Sequence, residues 1–233
     1  MSGLIESATA ILGASEKRLE VAARNVANVS TPGYKRSSGF SQILASAHAV
    51  DTVPDLVERS DFTQGKLISS KNPLDLAVNG DGFFQVRAGD QLLYTRQGQF
   101  RLAENGAVVS PQGYVLQQAG GGDLVLDNAA VTILDDGAVL DGGRPVARIG
   151  LSAAAAGTAL TALGESHFAA GGAMEDVSEP SIRQGMLESS NVAMGDEMVT
   201  MMAAMRQAES GARLVQVYDE LMGRALSTLG GAR

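Results

Sequence analysis

Apolar positions recur every seven residues at both ends of this chain and every two residues between them. Ile5, Leu12, Leu19 and Val26 repeat at intervals of seven, and Ala8, Ser15, Ala22 and Val29 each follow three positions later, so that only Ser15 breaks the apolar series. The spacing predicts a helix with one apolar stripe and with Glu6 near its start, where a carboxylate complements the N-terminal dipole. The helix is expected to stop at Ser30-Thr31-Pro32-Gly33, which puts proline and glycine where a type II turn needs them.

The other end repeats the theme. Met198, Met205, Ala212 and Leu226 share one heptad position, and Met201, Ala208, Val215, Met222 and Leu229 the other, interrupted at Asp219. A second stripe, Leu214, Tyr218, Leu221 and Ala225, falls on a different face, so this helix wants several neighbours. Asn191 is the expected N-cap, Asp196 and Glu197 stand in the early turns, and Gly230-Gly231 closes the far end.

Between the ends, short runs read as strands: residues 75–78, 83–86, 92–95, 99–102, 108–109, 114–116, 124–126 and 131–134. Turn signals such as Asn79-Gly80-Asp81-Gly82, Asn105-Gly106, Gln112-Gly113 and Asp136-Gly137 separate them. Residues 153–173 are rich in Ala and Gly with little pattern and are expected to form a loop. The fold class that follows is a mainly β central domain flanked by long N- and C-terminal α-helices that pair as a coiled-coil-like bundle. Its expected divisions are a terminal helical domain from 1–36 and 184–233, a connecting segment 37–72, and a β-rich outer domain 73–183 that carries the 153–173 loop.

Composition sharpens this picture. With 233 residues and 4% aromatics, no Trp and 28 Gly, the chain suits thin layers and closely approaching helices better than a core of bulky anchors. The net charge of −8 resides in residues 37–178, while 1–36 carry +2 and 179–233 carry −2, a pattern of ends that bury against neighbours around a middle that faces water. The absence of Cys removes disulfides, thiolate metal sites and cysteine nucleophiles, and suits an oxidising compartment. Neither a cleaved secretory signal nor a membrane span is expected, the longest apolar run being the short one around Met198 to Met205.

Candidate chemistry is sparse. His48 and His167 have no partner at ligand spacing and read as surface or loop residues, and Asp135-Asp136-Gly137 lacks the alternation of a calcium loop. Gly120-Gly121-Gly122 precedes Asp123 and not a Lys-Ser or Lys-Thr pair, so it cradles no phosphate. No catalytic, metal or cofactor residues are proposed, and nucleic-acid binding is not expected of so acidic a chain.

Residues 23–36, Ala-Arg-Asn-Val-Ala-Asn-Val-Ser-Thr-Pro-Gly-Tyr-Lys-Arg, resemble the N-terminal signature of the flagellar rod and hook protein family, through Asn25, Asn28, Thr31, Pro32, Gly33, Tyr34 and Lys35. Leu74 to Val86, Tyr94 to Leu102, Asn105-Gly106 through Gly113-Tyr114, and Gln184 to Val192 followed by Glu197-Met198-Val199 resemble its later motifs, in family order. Arg24 departs from the pattern, where family members often have Asn.

The resemblance implies a non-enzymatic axial subunit of the bacterial flagellum, without cofactors, in the periplasmic part of the basal body. It implies passage through the flagellar export apparatus, and assembly with copies of itself and with neighbouring rod proteins into a drive-shaft whose inner tube is made of terminal helices. Ile5, Leu12, Leu19, Val26, Met198, Met201, Met205, Val215, Leu221, Met222 and Leu226 are the expected helix-packing and assembly residues. The short chain disfavours the hook protein; among rod proteins the proximal rod is the first choice and the distal rod the second. A different class of reading, an exported adhesin or other binding β domain on a helical stalk, requires exposed aromatic clusters on the β face.

Overall fold

The computed structural model describes residues 2–41, 56–164 and 166–230, so His48 lies outside it. The chain forms two compact units: Met1–Asn28, Arg36–Asp61 and Val192–Arg233 make the first, and Val29–Lys35 with Phe62–Asn191 make the second. The stretch expected to connect the domains, 37–72, is thus shared between them.

The first unit contains helix α1 (Ser2–Ala27), the antiparallel pair β1 (Ser37–Ser41) and β2 (Leu56–Ser60), and a second long helix, Met194–Gly230, numbered α2. Without an internal proline and with many Ala residues, α1 needs little beyond its packing face to stay helical. It starts at Ser2, so Glu6 lies beyond the first turn and not at the dipole end. Asn28 closes it, its backbone N–H and side-chain amide both donating to the Arg24 carbonyl at 3.2 and 2.9 Å. At the start of α2 the Ala193 carbonyl accepts the Glu197 N–H. Asn191, expected as the cap, belongs to the second unit, where its amide donates to Thr63.

The two helices pack antiparallel. Asn25 meets Glu197, Arg18 donates to Gln207 at 2.7 Å, and Gly211 lies against Ile11 and Leu12. Beside Val21, Asn25 and Glu197, their buried positions are small on both sides: Ala8, Ser15 and Ala22 on α1, Ala204 and Gly211 on α2, each series at intervals of seven. Small side chains let the axes approach, which leaves the larger apolar residues on the flanks. With 37 residues against 26, α2 is ~55 Å long and α1 ~39 Å, so α2 outruns its partner.

The second unit is antiparallel β throughout. Its largest sheet runs in the order β14 (Leu160–Gly164), β15 (His167–Ala170), β6 (Gln91–Thr95), β5 (Phe83–Ala88), β9 (Val115–Leu116), β8 (Val108–Val109), β7 (Arg101–Leu102). β13 (Leu151–Ala154) pairs with β5 and with β16 (Met174–Asp176). β10 (Thr132–Ile133), β11 (Ala138–Asp141) and β12 (Arg144–Arg148) form a three-stranded sheet. Two returning pairs, β17 (Ile182–Gln184) on β4 (Leu76–Val78) and β18 (Met186–Glu188) on β3 (Leu67–Ser69), bring the end of the unit back to its start.

Period-two patterning explains the core. On β5, Phe84 and Val86 point into the main cluster with Leu76, Leu116, Ile149 and Leu151, while Phe83 turns to the opposite face and packs with Tyr94 and Phe168. Residues 124–126 alternate in burial as a strand does, though they make isolated bridges and no ladder. The 153–173 stretch is not a loop: it holds β14 and β15. Ladder hydrogen bonds come from the backbone, so Ala and Gly can occupy strands that lack an apolar alternation, here anchored by Phe168. His167, expected at the surface, is buried on β15 edge-on to the Tyr114 ring, 5.0 Å between centroids.

A Cβ on Gly211 would stand 3.1 Å from the Leu12 side chain, whereas one on Gly223 meets nothing within 4 Å. Gly211→Leu is therefore expected to force the helices apart and cost roughly 1–3 kcal/mol, and Gly223→Ala to stabilise by about 0.5–1 kcal/mol through helix propensity. Thermal unfolding followed by circular dichroism at 222 nm checks both signs.

Candidate functional site

The residues of the N-terminal motif build two separate polar clusters, one in each unit. In the β unit the turn at residues 31–34 comes first. The Tyr34 N–H donates to the Thr31 carbonyl at 3.3 Å and Gly33 has φ +69°, the type II arrangement expected from Pro32-Gly33. A Cβ on Gly33 would come within 2.3 Å of the Gln97 nitrogen, so the position demands glycine for space as well as for backbone angle. The Gly33 N–H donates to the Glu188 carbonyl at 2.7 Å, which ties the turn to β18.

Lys35 follows directly. Its side chain and that of Glu188 are both 0% exposed, with Nζ 2.6 Å from Oε1. The ammonium also donates to the Thr63 carbonyl at 2.7 Å, and the Gly65 N–H donates to the same carboxylate oxygen at 2.8 Å. On the other side, Arg96 Nη1 lies 3.3 Å from Glu188 Oε2, while Nη2 donates to the Gly80 carbonyl. Its guanidinium stacks over the Phe83 ring at 5.1 Å. Burial pushes the Arg96 pKa down, and the charges of Glu188 and Asp81 oppose that push. One carboxylate thus holds two cations that are almost wholly removed from water.

In the helical unit, Asn25 is buried and closes on the Ser37 backbone in both directions, donating to its carbonyl at 2.7 Å and accepting its N–H at 2.9 Å. It also donates to Glu197 Oε2 at 3.1 Å, and Arg36 donates to the other oxygen. Only an amide can accept a backbone N–H and donate to a carbonyl and a carboxylate at once, so Asp or Leu here would leave buried groups unpaired.

Arg24, the departure from the motif, forks onto Glu58 of β2 with bonds of 3.0 and 3.1 Å, and Lys17 reaches the same carboxylate at 3.0 Å. Partial burial alone raises the Glu58 pKa, but the hydrogen bonds and charges of Arg24 and Lys17 outweigh it and the net shift is downward. Lys17 moves upward, chiefly through its bond to Glu58.

Of the expected packing residues, Leu12, Leu19, Val26, Met201 and Val215 are half-buried beside the seam. Ile5, Met198, Met205, Leu221 and Met222 are exposed, and the Leu226 side chain lies outside the description. The clusters rest on Glu188, Arg96 and Glu197, which sequence reasoning quoted within motifs without giving them a role. The available signal was a charged residue inside an otherwise apolar or turn-forming motif. Glu58 carried no such signal.

A shallow cleft of about 390 Å³ is lined by Asn72, Asp75, Gln99, Phe100, Arg101 and Pro111, and its one carboxylate is held by Ser70 and Asn72. Among the described residues no group of three or more His, Asp or Glu is placed to hold a metal ion. Phe62, Phe83 and Phe168 pack edge-to-face, and Phe84 meets Phe100 in the core, so these aromatics are spent inside the β unit.

Comparison with known proteins places these residues in a family. Residues 12–35 match the flagella basal body rod protein model, 77–140 the flagellar hook protein FlgE/F/G D1 domain, and 183–228 the flagellar basal body rod FlgEFG protein C-terminal model. The chain is 31% identical to the flagellar basal-body rod protein FlgF of Caulobacter vibrioides, over 92% of each chain. It is 30% identical to FlgF of Rhizobium meliloti over 94% of this chain and 95% of that one. To the rod protein FlgG of Bacillus subtilis it is 28% identical, over 89% and 91%. The chain belongs to the flagellar basal-body rod protein family. Members of this rod family are structural proteins of the flagellum and not enzymes. The three matched regions each supply one member of the buried triad, Lys35, Arg96 and Glu188.

Two outcomes follow. Glu188→Gln strands two buried cations and is expected to cost about 3–5 kcal/mol. Denaturant unfolding checks it, and Lys35→Met/Glu188→Gln together should cost less than the sum of the single changes. At Glu58, a folded-state pKa below the unfolded one gives stability that is present above the unfolded value and lost as pH falls through the folded one. Lys17, raised, contributes below its ordinary value and loses that contribution as pH climbs past it. Glu58→Gln is therefore expected to cost roughly 1 kcal/mol near neutrality and nearly nothing at low pH, once both forms are uncharged, in unfolding curves at the two pH values.

Proposed function

We propose that the chain is a rod subunit of the FlgF type, nearest the proximal rod, with the distal rod as the second choice. It polymerises with copies of itself and with neighbouring rod proteins through α1 and α2, which pair as a coiled-coil-like bundle and line an inner tube. In this reading the subunit reaches the periplasmic portion of the basal body through the flagellar export apparatus.

One observation carries the reading: α2 keeps a large apolar surface after α1 has packed against it. Met198, Val199, Met202, Met205, Leu214, Val217 and Leu221 are exposed along its length. Met198, Met202 and Met205 fall on one side of α2 and Leu214, Val217 and Leu221 on another, two apolar faces that a solvated monomer rarely leaves open and that repeated copies stacked side by side bury. The heptad spacing of the small seam residues supports the pairing, and the concentration of negative charge in residues 37–178 suits a β unit that stays in solvent. Ile5, Leu12, Leu19 and Val26 then serve the same bundle from α1.

The test is a strain deleted for this chain and complemented with it or with Met198→Asp or Leu221→Asp. A carboxylate at an exposed position leaves the monomer folded but cannot be desolvated in a tube wall. Wild type is expected to restore swimming and rods in isolated basal bodies, and each variant to accumulate as folded protein without them. Full motility with both variants would sink the assembly role of these two faces.

A further inference from the structure

The α2 surface is also where the chain concentrates its oxidisable sulfur. The sequence has nine Met and no Cys, and five of the nine, Met194, Met198, Met201, Met202 and Met205, fall within the first turns of α2. At about 100° per residue they occupy an arc of roughly 100° on one side of the helix. Four of them, Met194, Met198, Met202 and Met205, are between 45% and 48% exposed. Met174 and Met186, in the β unit, are only half-exposed. The seam with α1 runs along Glu197, Ala204 and Gly211, beside this arc and not through it.

We propose that Met194, Met198, Met202 and Met205 form an oxidation site whose state controls whether the helix face can be buried against another copy. The inference rests on the assembly reading above. The oxidant is a peroxide: a sulfur lone pair attacks one peroxide oxygen, the O–O bond breaks, an S–O bond forms, and the other oxygen leaves as water. Sulfur is oxidised by two electrons and the peroxide is reduced by two. Each event turns a flexible apolar thioether into a polar sulfoxide with a strong acceptor oxygen, which resists transfer into an apolar interface. Four such changes on one arc convert an adhesive face into a hydrated one, while the small-residue seam with α1 is untouched. Without cysteine, no thiol intercepts the oxidant first.

Purified full-length chain treated with dilute hydrogen peroxide is read in two ways. Peptide mapping by mass spectrometry is expected to find these four Met converted severalfold faster than Met174 and Met186. Sedimentation velocity over a concentration series is expected to show self-association of the untreated chain, at least tenfold weaker after oxidation, and restored by methionine sulfoxide reductases. Met194→Leu/Met198→Leu/Met202→Leu/Met205→Leu keeps the apolar area and should associate equally before and after peroxide. Conversion of Met174 and Met186 at equal rates, or association unchanged by oxidation of all four, overturns the proposal. An untreated chain that stays monomeric overturns the assembly reading instead, and the mapping still decides the site.

Discussion

The Glu188 carboxylate is enclosed without solvent between the Lys35 ammonium and the Arg96 guanidinium, and residues from three distant stretches must arrive together for that to happen. A buried pair of this kind adds little net stability over apolar packing of equal volume, because desolvation consumes most of the Coulomb gain. Its effect is on alternatives. Any arrangement that brings two of the three groups inside and leaves the third behind strands a charge at a cost of several kcal/mol. The turn at Gly33, the stretch after β6 and the β18–β3 pairing are thereby fixed as a set, and the Gly33 N–H bond to the Glu188 carbonyl adds a neutral tie at the same residue.

The helical unit follows a different economy. Its seam is made from the smallest side chains in the two heptad series, Ala8, Ser15 and Ala22 against Ala204 and Gly211. Close approach gains dispersion contacts and permits the Asn25–Glu197 and Arg18–Gln207 bonds, yet it buries little apolar area. The bulky side chains that would ordinarily form such a core stand at the flanks and on the free face. A helix pair designed to be self-sufficient would place its Met and Leu inward. This one leaves Met198, Met202, Met205 and Leu221 in solvent.

Much of this was legible in the residues. The seven-residue period located both helices, and the alternation with Asn-Gly and Asp-Gly signals located strands β4 to β10, because side-chain burial and turn geometry there are local. Strands β11 to β18 escaped for the opposite reason. Of those within 153–173, β15 is held by the distant β6 and β14 only by its hairpin neighbour β15, and Ala and Gly carry no period to read. The caps were misread by a few residues, since Ala193 opens α2 through its backbone carbonyl alone and leaves no side-chain signature. Of the site, the motif residues were visible while their partners were not. Nothing local announces that Lys35 will find a glutamate at 188, or that the unusual Arg24 will be matched by Glu58, a residue of the intervening hairpin.

Lys35 and Arg36 are adjacent, yet their ion pairs belong to different units: Lys35 bonds Glu188 in the β unit, and Arg36 bonds Glu197 in the helical one. The chain passes between the units four times: the second passage is a peptide bond flanked by these two anchored cations, and the last falls between the two anchored carboxylates. Each unit secures its own side of the crossing with its own acid–base pair. The polar ties of the helical unit run through Asn25, Arg36 and Glu197, and none of them is shared with the Lys35–Glu188–Arg96 cluster. Two consecutive charges of the same sign thus serve two separate clusters, so that losing the Arg36–Glu197 pair leaves every contact of the Lys35–Glu188 pair in place.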